Sequence, residues 1–188
     1  MRELNLLPEH MKKIFAALGI ILLLVIGYMV YGTFINPKSP KGVATFEKDD
    51  LKIEVVYHRP YKRDRLIFGT VEDNALVPYG QYWRLGANAA TTFETNQEIA
   101  FAGRTLAAGK YRLYAIPEED HWVVALNEEA GAFGYSEPDY DKDIMRVNAI
   151  AAQLLTPVDP FTIDLVEDGE SLTLHMRWDT TSVAIPLN

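Results

Sequence analysis

The strongest constraint on this chain is a run of 22 residues, Ile14 to Ile35, that contains no charged side chain. At ~1.5 Å per residue a helix of that length reaches about 33 Å, and a bilayer's hydrocarbon core is about 30 Å thick. The segment is therefore expected to be a transmembrane helix over 14–35. Tyr28 and Tyr31 fall toward its C-terminal end, where amphipathic rings suit the membrane–water interface. A cleaved signal peptide would have an apolar region of only ~7–15 residues ending in a small-x-small site. This run is longer, and Gly32–Asn36 offers no such site.

Charge divides the chain at the same place. Residues 1–41 carry five Lys/Arg against two acids, and residues 42–188 carry thirteen against twenty-four. Lys12 and Lys13 abut the apolar run, whereas Lys38 and Lys41 stand further off on the other side. The positive-inside rule then favours a short cytoplasmic N-terminus (1–13). It gives a single-pass inner-membrane protein with its acidic domain in the periplasm or outside the cell. An acidic domain repels phosphates, which argues against a nucleic acid partner. With no Cys, disulfides, iron–sulfur clusters, thiolate zinc sites and cysteine nucleophiles are excluded.

Residues 36–42, Asn-Pro-Lys-Ser-Pro-Lys-Gly, read as a linker. Beyond it, over 43–188, apolar residues recur with period two. Leu51, Ile53, Val55 and Tyr57 mark a half-buried strand. Tyr111–Ala115 and Trp122–Leu126 form a hairpin about Pro117–Asp120. Thr91–Thr95 reads as a strand and 97–109 as a tight hairpin. Over 144–155, Ile144, Val147, Ala151 and Leu154 fit a helix and Met145, Val147 and Ala149 a strand; a strand ending near Ile150 is the expectation. Phe161–Leu165 and Leu172–Trp178 flank Asp168-Gly169, a favoured hairpin dipeptide, and Val183, Ile185 and Leu187 read as a further strand after Asp179-Thr180. The expected fold is mainly β, an antiparallel sandwich or flattened barrel.

The non-repetitive segment 57–92 holds the candidate ligand contacts. It mixes aromatics, guanidiniums and amides with Gly69, Gly80 and Gly86. Arginine's rigid fork suits carboxylate, phosphate or sugar-like groups, and aromatic walls with few polar groups describe many ligand sites. Arg59, Trp83, Arg84 and Asn88, with Tyr57 and His58 beside them, are the contacts expected. The same residue types also suit a scaffold, with Trp83 in the core, Arg84 paired to a carboxylate and Asn88 capping a turn.

Motifs for chemistry are missing. His58, His121 and His175 fall on different strands without ligand spacing, so no metal site is expected. Asp139–Asp143 opens like a calcium loop, but Ile144 and Ile150 occupy the positions that require Gly and Glu. Gly134-Tyr-Ser136 does not complete a nucleophile elbow. No phosphate loop or dinucleotide fingerprint occurs, and no cofactor is expected.

Arg59-Pro60, Arg65–Gly69, Leu76–Gly80, Trp83-Arg84, Gly86–Asn88 and Ala90-Thr91 resemble a bacterial family of uncharacterised proteins, domain of unknown function 2911 (DUF2911). Leu106–Tyr111, Ile116-Pro117, Trp122–Val124 and Asn127 extend the resemblance over about 43–187. It implies a single export-associated β domain and no established activity. Family members commonly carry Glu where this chain has Ala89, and Thr70–Ala75 looks inserted. If that Glu were catalytic, this chain would lack the activity. The expectation is therefore a binding module for a small anionic or sugar-like ligand. The alternatives are a hydrolase-like enzyme using His58 and Arg84, or a structural subunit pairing with envelope proteins.

Overall fold

A computed structural model describes residues 8–32 and 38–188. The two parts of the chain, 1–38 and 39–188, form separate compact units. In the first, helix α1 spans Glu9–Val30, with Lys12 Nζ 3.0 Å from Glu9 Oε1. The helix thus starts before the uncharged run and takes in both lysines. It buries no residue and is long and apolar enough to cross a membrane. Residues 33–35 of the expected span, 36–37 of the expected linker and 1–7 of the expected cytoplasmic end lie outside the described residues.

The second unit is built from eleven strands: β1 (Lys41–Lys48), β2 (Leu51–His58), β3 (Phe68–Gly69), β4 (Val77–Pro78), β5 (Thr91–Thr95), β6 (Ile99–Phe101), β7 (Arg104–Leu106), β8 (Gly109–Pro117), β9 (His121–Asn127), β10 (Asp143–Asp168) and β11 (Ser171–Leu187). Nine of them make one antiparallel sheet, in the order β1-β2-β5-β8-β9-β10-β11-β6-β7, and β3 with β4 forms a small parallel pair. β10 pairs with β9 through Asp143–Ile150 and with β11 from Ala151 onward. It therefore passes from one layer to the other, and the sheet folds over on itself as a sandwich without closing into a barrel.

Local chemistry explains the turns. Ala102 (φ 51°) and Gly103 (φ 74°) connect β6 to β7; two residues at positive φ match a type I′ hairpin. Gly169 (φ 61°) opens the two-residue loop between β10 and β11, as a type II′ turn requires. Two sequence expectations are corrected. The strand expected to end near Ile150 runs on to Asp168, 26 residues in all, taking up register shifts between Gln153 and Thr162. Nor does the chain turn at Asp179: β11 runs unbroken for 17 residues. Asp179 has φ 52°, and inward-facing positions change there from even (Leu172, Leu174, Met176, Trp178) to odd (Val183, Ile185, Leu187). That change of phase is what a β-bulge produces, and in sequence it resembles a break between strands.

The core lies between the layers. Trp83 packs 5.5 Å from Phe68, 5.3 Å from Trp122, 4.9 Å from Phe161 and 5.9 Å from Trp178 (ring centroids). Phe93 meets Phe101 edge-on at 5.5 Å. The outer edge of β1 lies beside the second half of β10, and side chains bridge the seam. Tyr57 Oη accepts from the Ile163 N–H (2.9 Å) and donates to the Ile163 carbonyl (3.2 Å). Gly42 makes room for it: a Cβ there would stand 2.8 Å from Tyr57 Cζ.

Candidate functional site

The six expected contacts divide among three places. Tyr57 and Arg59 line a polar groove of about 240 Å³ along the β1–β10 seam. Arg59 Nη2 donates to Thr162 Oγ1 (3.0 Å) and Nε to the Phe161 carbonyl (3.4 Å). Trp83 is buried in the aromatic core, tied to Ala115 by backbone bonds of 2.8 and 2.9 Å. His58, Arg84 and Asn88 belong to a third region. A Cβ on Gly86 (φ 140°) would stand 2.5 Å from the His58 carbonyl oxygen, so only glycine lets this loop close on β2. Burial pushes the His58 imidazole below its ordinary pKa, and Lys41 adds to the effect. Its Nδ1 is buried without a partner among the described residues. Arg84 Nη1 donates to the Asn88 carbonyl (3.3 Å), and its guanidinium lies 5.7 Å from the Tyr135 ring centre.

A polar cluster that the sequence reading missed sits under the 128–142 segment. Arg112 is 1% exposed. Its Nη2 donates to Tyr82 Oη and to the Ser136 carbonyl, while Nε and Nη1 have no acceptor among the described residues. The Glu129 carboxylate approaches Nη1 to 4.0 Å, but it is engaged by Lys142 at 2.9 Å. Beside it, Tyr114 donates to Asp143 (2.7 Å), and Asn127 Nδ2 reaches Asp143 Oδ1 and the Asp139 carbonyl (both 2.8 Å). Burial and that carboxylate push the Tyr114 phenol up. Burial, with Glu137 beside it, holds Tyr140 at about 12. The partners come from the loop itself, from Tyr82 and from the strands beneath, β8, β9 and the start of β10, so the cluster pins the loop. On β8, Arg112 and Tyr114 alternate with the core residues Leu113 and Ala115, and both faces of this strand are covered.

A feature roomier than the seam groove lies elsewhere. A cavity of about 400 Å³ opens at one end of the sandwich, within the ~300–1,000 Å³ of small-molecule sites. Phe46, Leu51, Ile53, Ile99, Leu172 and Leu187 supply its apolar wall. The β1–β2, β5–β6 and β10–β11 turns supply its rim, with Asp49, Asp50, Gln97, Glu167 and Glu170. The turns are fixed to one another. Asn96 Oδ1 accepts from the Lys52 N–H (2.7 Å), and its Nδ2 donates to the Asp50 carbonyl (2.8 Å). Ala100 N–H donates to the Asn188 carbonyl at 2.6 Å. Lys48 Nζ, the basic group on the lining, is 2.5 Å from Glu167 Oε1. That carboxylate raises the ammonium's pKa, so Lys48 remains a cation. The pair joins β1 to β10 where the seam meets the cavity.

Among the described residues no group of three or more His, Asp or Glu side chains is placed to hold a metal ion. Asp139 instead caps the Asp141 N–H (3.2 Å), and Asp143 is bound by Tyr114, Asn127 and Arg146.

Comparison with known families places the chain. A family model described as a protein of unknown function (DUF2911) matches residues 39–187, nearly all of the second unit, and the chain belongs to that family. No curated protein matches the sequence. No solved structure matches it either.

Proposed function

We propose that this chain is a membrane-anchored binding module, in which α1 holds the protein in a bilayer and the β domain takes a small apolar ligand into the cavity at its end. The observation that carries this reading is the cavity itself: apolar side chains from four strands converge on a space of ligand size, and hydrogen bonds between turns keep its mouth formed. Apolar residues in a core normally close such a space, since a residual void costs ~24 cal/mol per Å³. An occupant that covers those side chains recovers that cost as affinity.

The test uses the full chain in lipid nanodiscs. Octanol serves as a neutral apolar probe, and the thermal midpoint is followed by near-ultraviolet circular dichroism. A ligand specific to the folded state stabilises by about 2.7 kcal/mol at a hundredfold excess over Kd, a shift of several degrees. The half-buried Leu51, changed to Trp, fills the cavity and should abolish the shift. A shift of the same size in L51W, or none in the parent, refutes the assignment.

A second reading keeps an anionic or sugar-like ligand at the Arg84 loop. It is favoured by the guanidinium, whose contacts there are one 3.3 Å hydrogen bond and the Tyr135 ring. On that reading Arg84→Ala removes the binding of a carboxylate probe and leaves octanol's effect untouched.

A further inference from the structure

We infer that the cavity's ligand is a cationic amphiphile, an aliphatic chain bearing an amine or quaternary ammonium group. This rests on the binding-module reading and adds the chemistry of the ligand's head. The wall and the mouth of the cavity make different demands. The deep surface, Ile53, Ile99, Leu172 and Leu187, is almost wholly removed from solvent and carries no polar side-chain atom. It rewards burial of hydrocarbon at roughly 25 cal/mol per Å². The mouth carries four carboxylates, Asp49, Asp50, Glu167 and Glu170, against the single ammonium of Lys48, and Lys48 is already paired with Glu167.

Asp49, Asp50 and Glu170 thus line the opening with no salt bridge among the described residues, the charge of Asp49 acting only at longer range on Lys48. Charges at the rim of a low-dielectric cleft focus their field into it. An anionic head entering there meets net repulsion on top of its own desolvation. A neutral head gains nothing from the field, whereas a cation gains attraction from several carboxylates at once and can stay partly hydrated at the rim. The arrangement therefore selects by charge as well as by shape, and it disfavours fatty acids, the anionic counterparts of the same size. The selection acts through solvent-exposed groups, so it should weaken as salt screens them over a Debye length of about 8–10 Å.

Three probes of matched chain length separate the possibilities: octyltrimethylammonium, octanol and octanoate. Each is titrated calorimetrically into the full chain in zwitterionic nanodiscs, with empty discs subtracted. The ammonium probe should bind at least tenfold tighter than octanoate, with octanol between them. The exposed pair of changes Asp50→Asn and Glu170→Gln should erase most of that preference. Octanoate binding as tightly as the ammonium overturns this inference but leaves the binding module standing. A preference that survives the double change puts the cation elsewhere and also overturns it. Three silent titrations overturn both.

Discussion

Trp83 shows how one side chain can suit two readings. In sequence it stands beside Arg84 and among aromatics, as a ligand contact would. In the fold it meets Phe68, Trp122, Phe161 and Trp178, and its backbone bridges to Ala115 on β8. Its neighbour Arg84 points to the opposite side, toward Asn88 and Tyr135. The alternation that separates them is simply that of extended backbone. Their substitutions should differ sharply. Trp83→Ala should cost about 3–5 kcal/mol, the usual loss for a fully packed aromatic. Arg84→Ala should stay within about 0.5 kcal/mol, as surface changes do. Urea unfolding of both variants checks this; equal losses would mean that Arg84 carries structural weight its contacts do not show. Arg112 lies beyond what a sequence can display. An arginine on a strand reads as solvent-facing, and only the loop packed over β8 makes it a buried side chain.

At the scale of elements, the hairpins were legible because the pattern of alternation and the turn residues agree. Ala102-Gly103 and Gly169 occupy positions where positive φ is needed, and Ile53, Val55 and Tyr57 face inward between less buried neighbours. The long strands were less legible. β11 changes phase at Asp179 without leaving the ladder, and period-two patterning reads any phase change as an ending. The seam between β1 and β10 could not be read at all, since it joins strands more than a hundred residues apart through side chains. Tyr57 is its central link: one hydroxyl serves both the N–H and the carbonyl of buried Ile163. Tyr57→Phe leaves both groups unpaired, and such a loss costs ~1–3 kcal/mol. Hydrogen exchange should report it as faster exchange of the Ile163 amide than in the parent. An unchanged Ile163 amide would mean that the seam is held by other contacts.

At the scale of the molecule, sequence separated an apolar helix from an acidic β domain, because both properties are written in composition. The cavity was not legible, since its lining is drawn from residues 46–53, 97–99, 167–172 and 187–188, and only the folded topology brings these together. The seam and the cavity are two consequences of one fact. A nine-stranded sheet that bends over without closing leaves its edge strand β1 beside β10; Tyr57 and Arg59 bridge the gap at one end, and the cavity opens at the other. The acidic charge of the domain has a local expression at that open end, where carboxylates outnumber the one lysine. The most direct test of the account is where a ligand attaches. A photoreactive octylamine, cross-linked to the full chain in nanodiscs and mapped by peptide mass spectrometry, should label residues 46–53, 97–99, 167–172 and 187–188. Labelling concentrated on the Arg84–Tyr135 region, or spread evenly over the β domain, would contradict it.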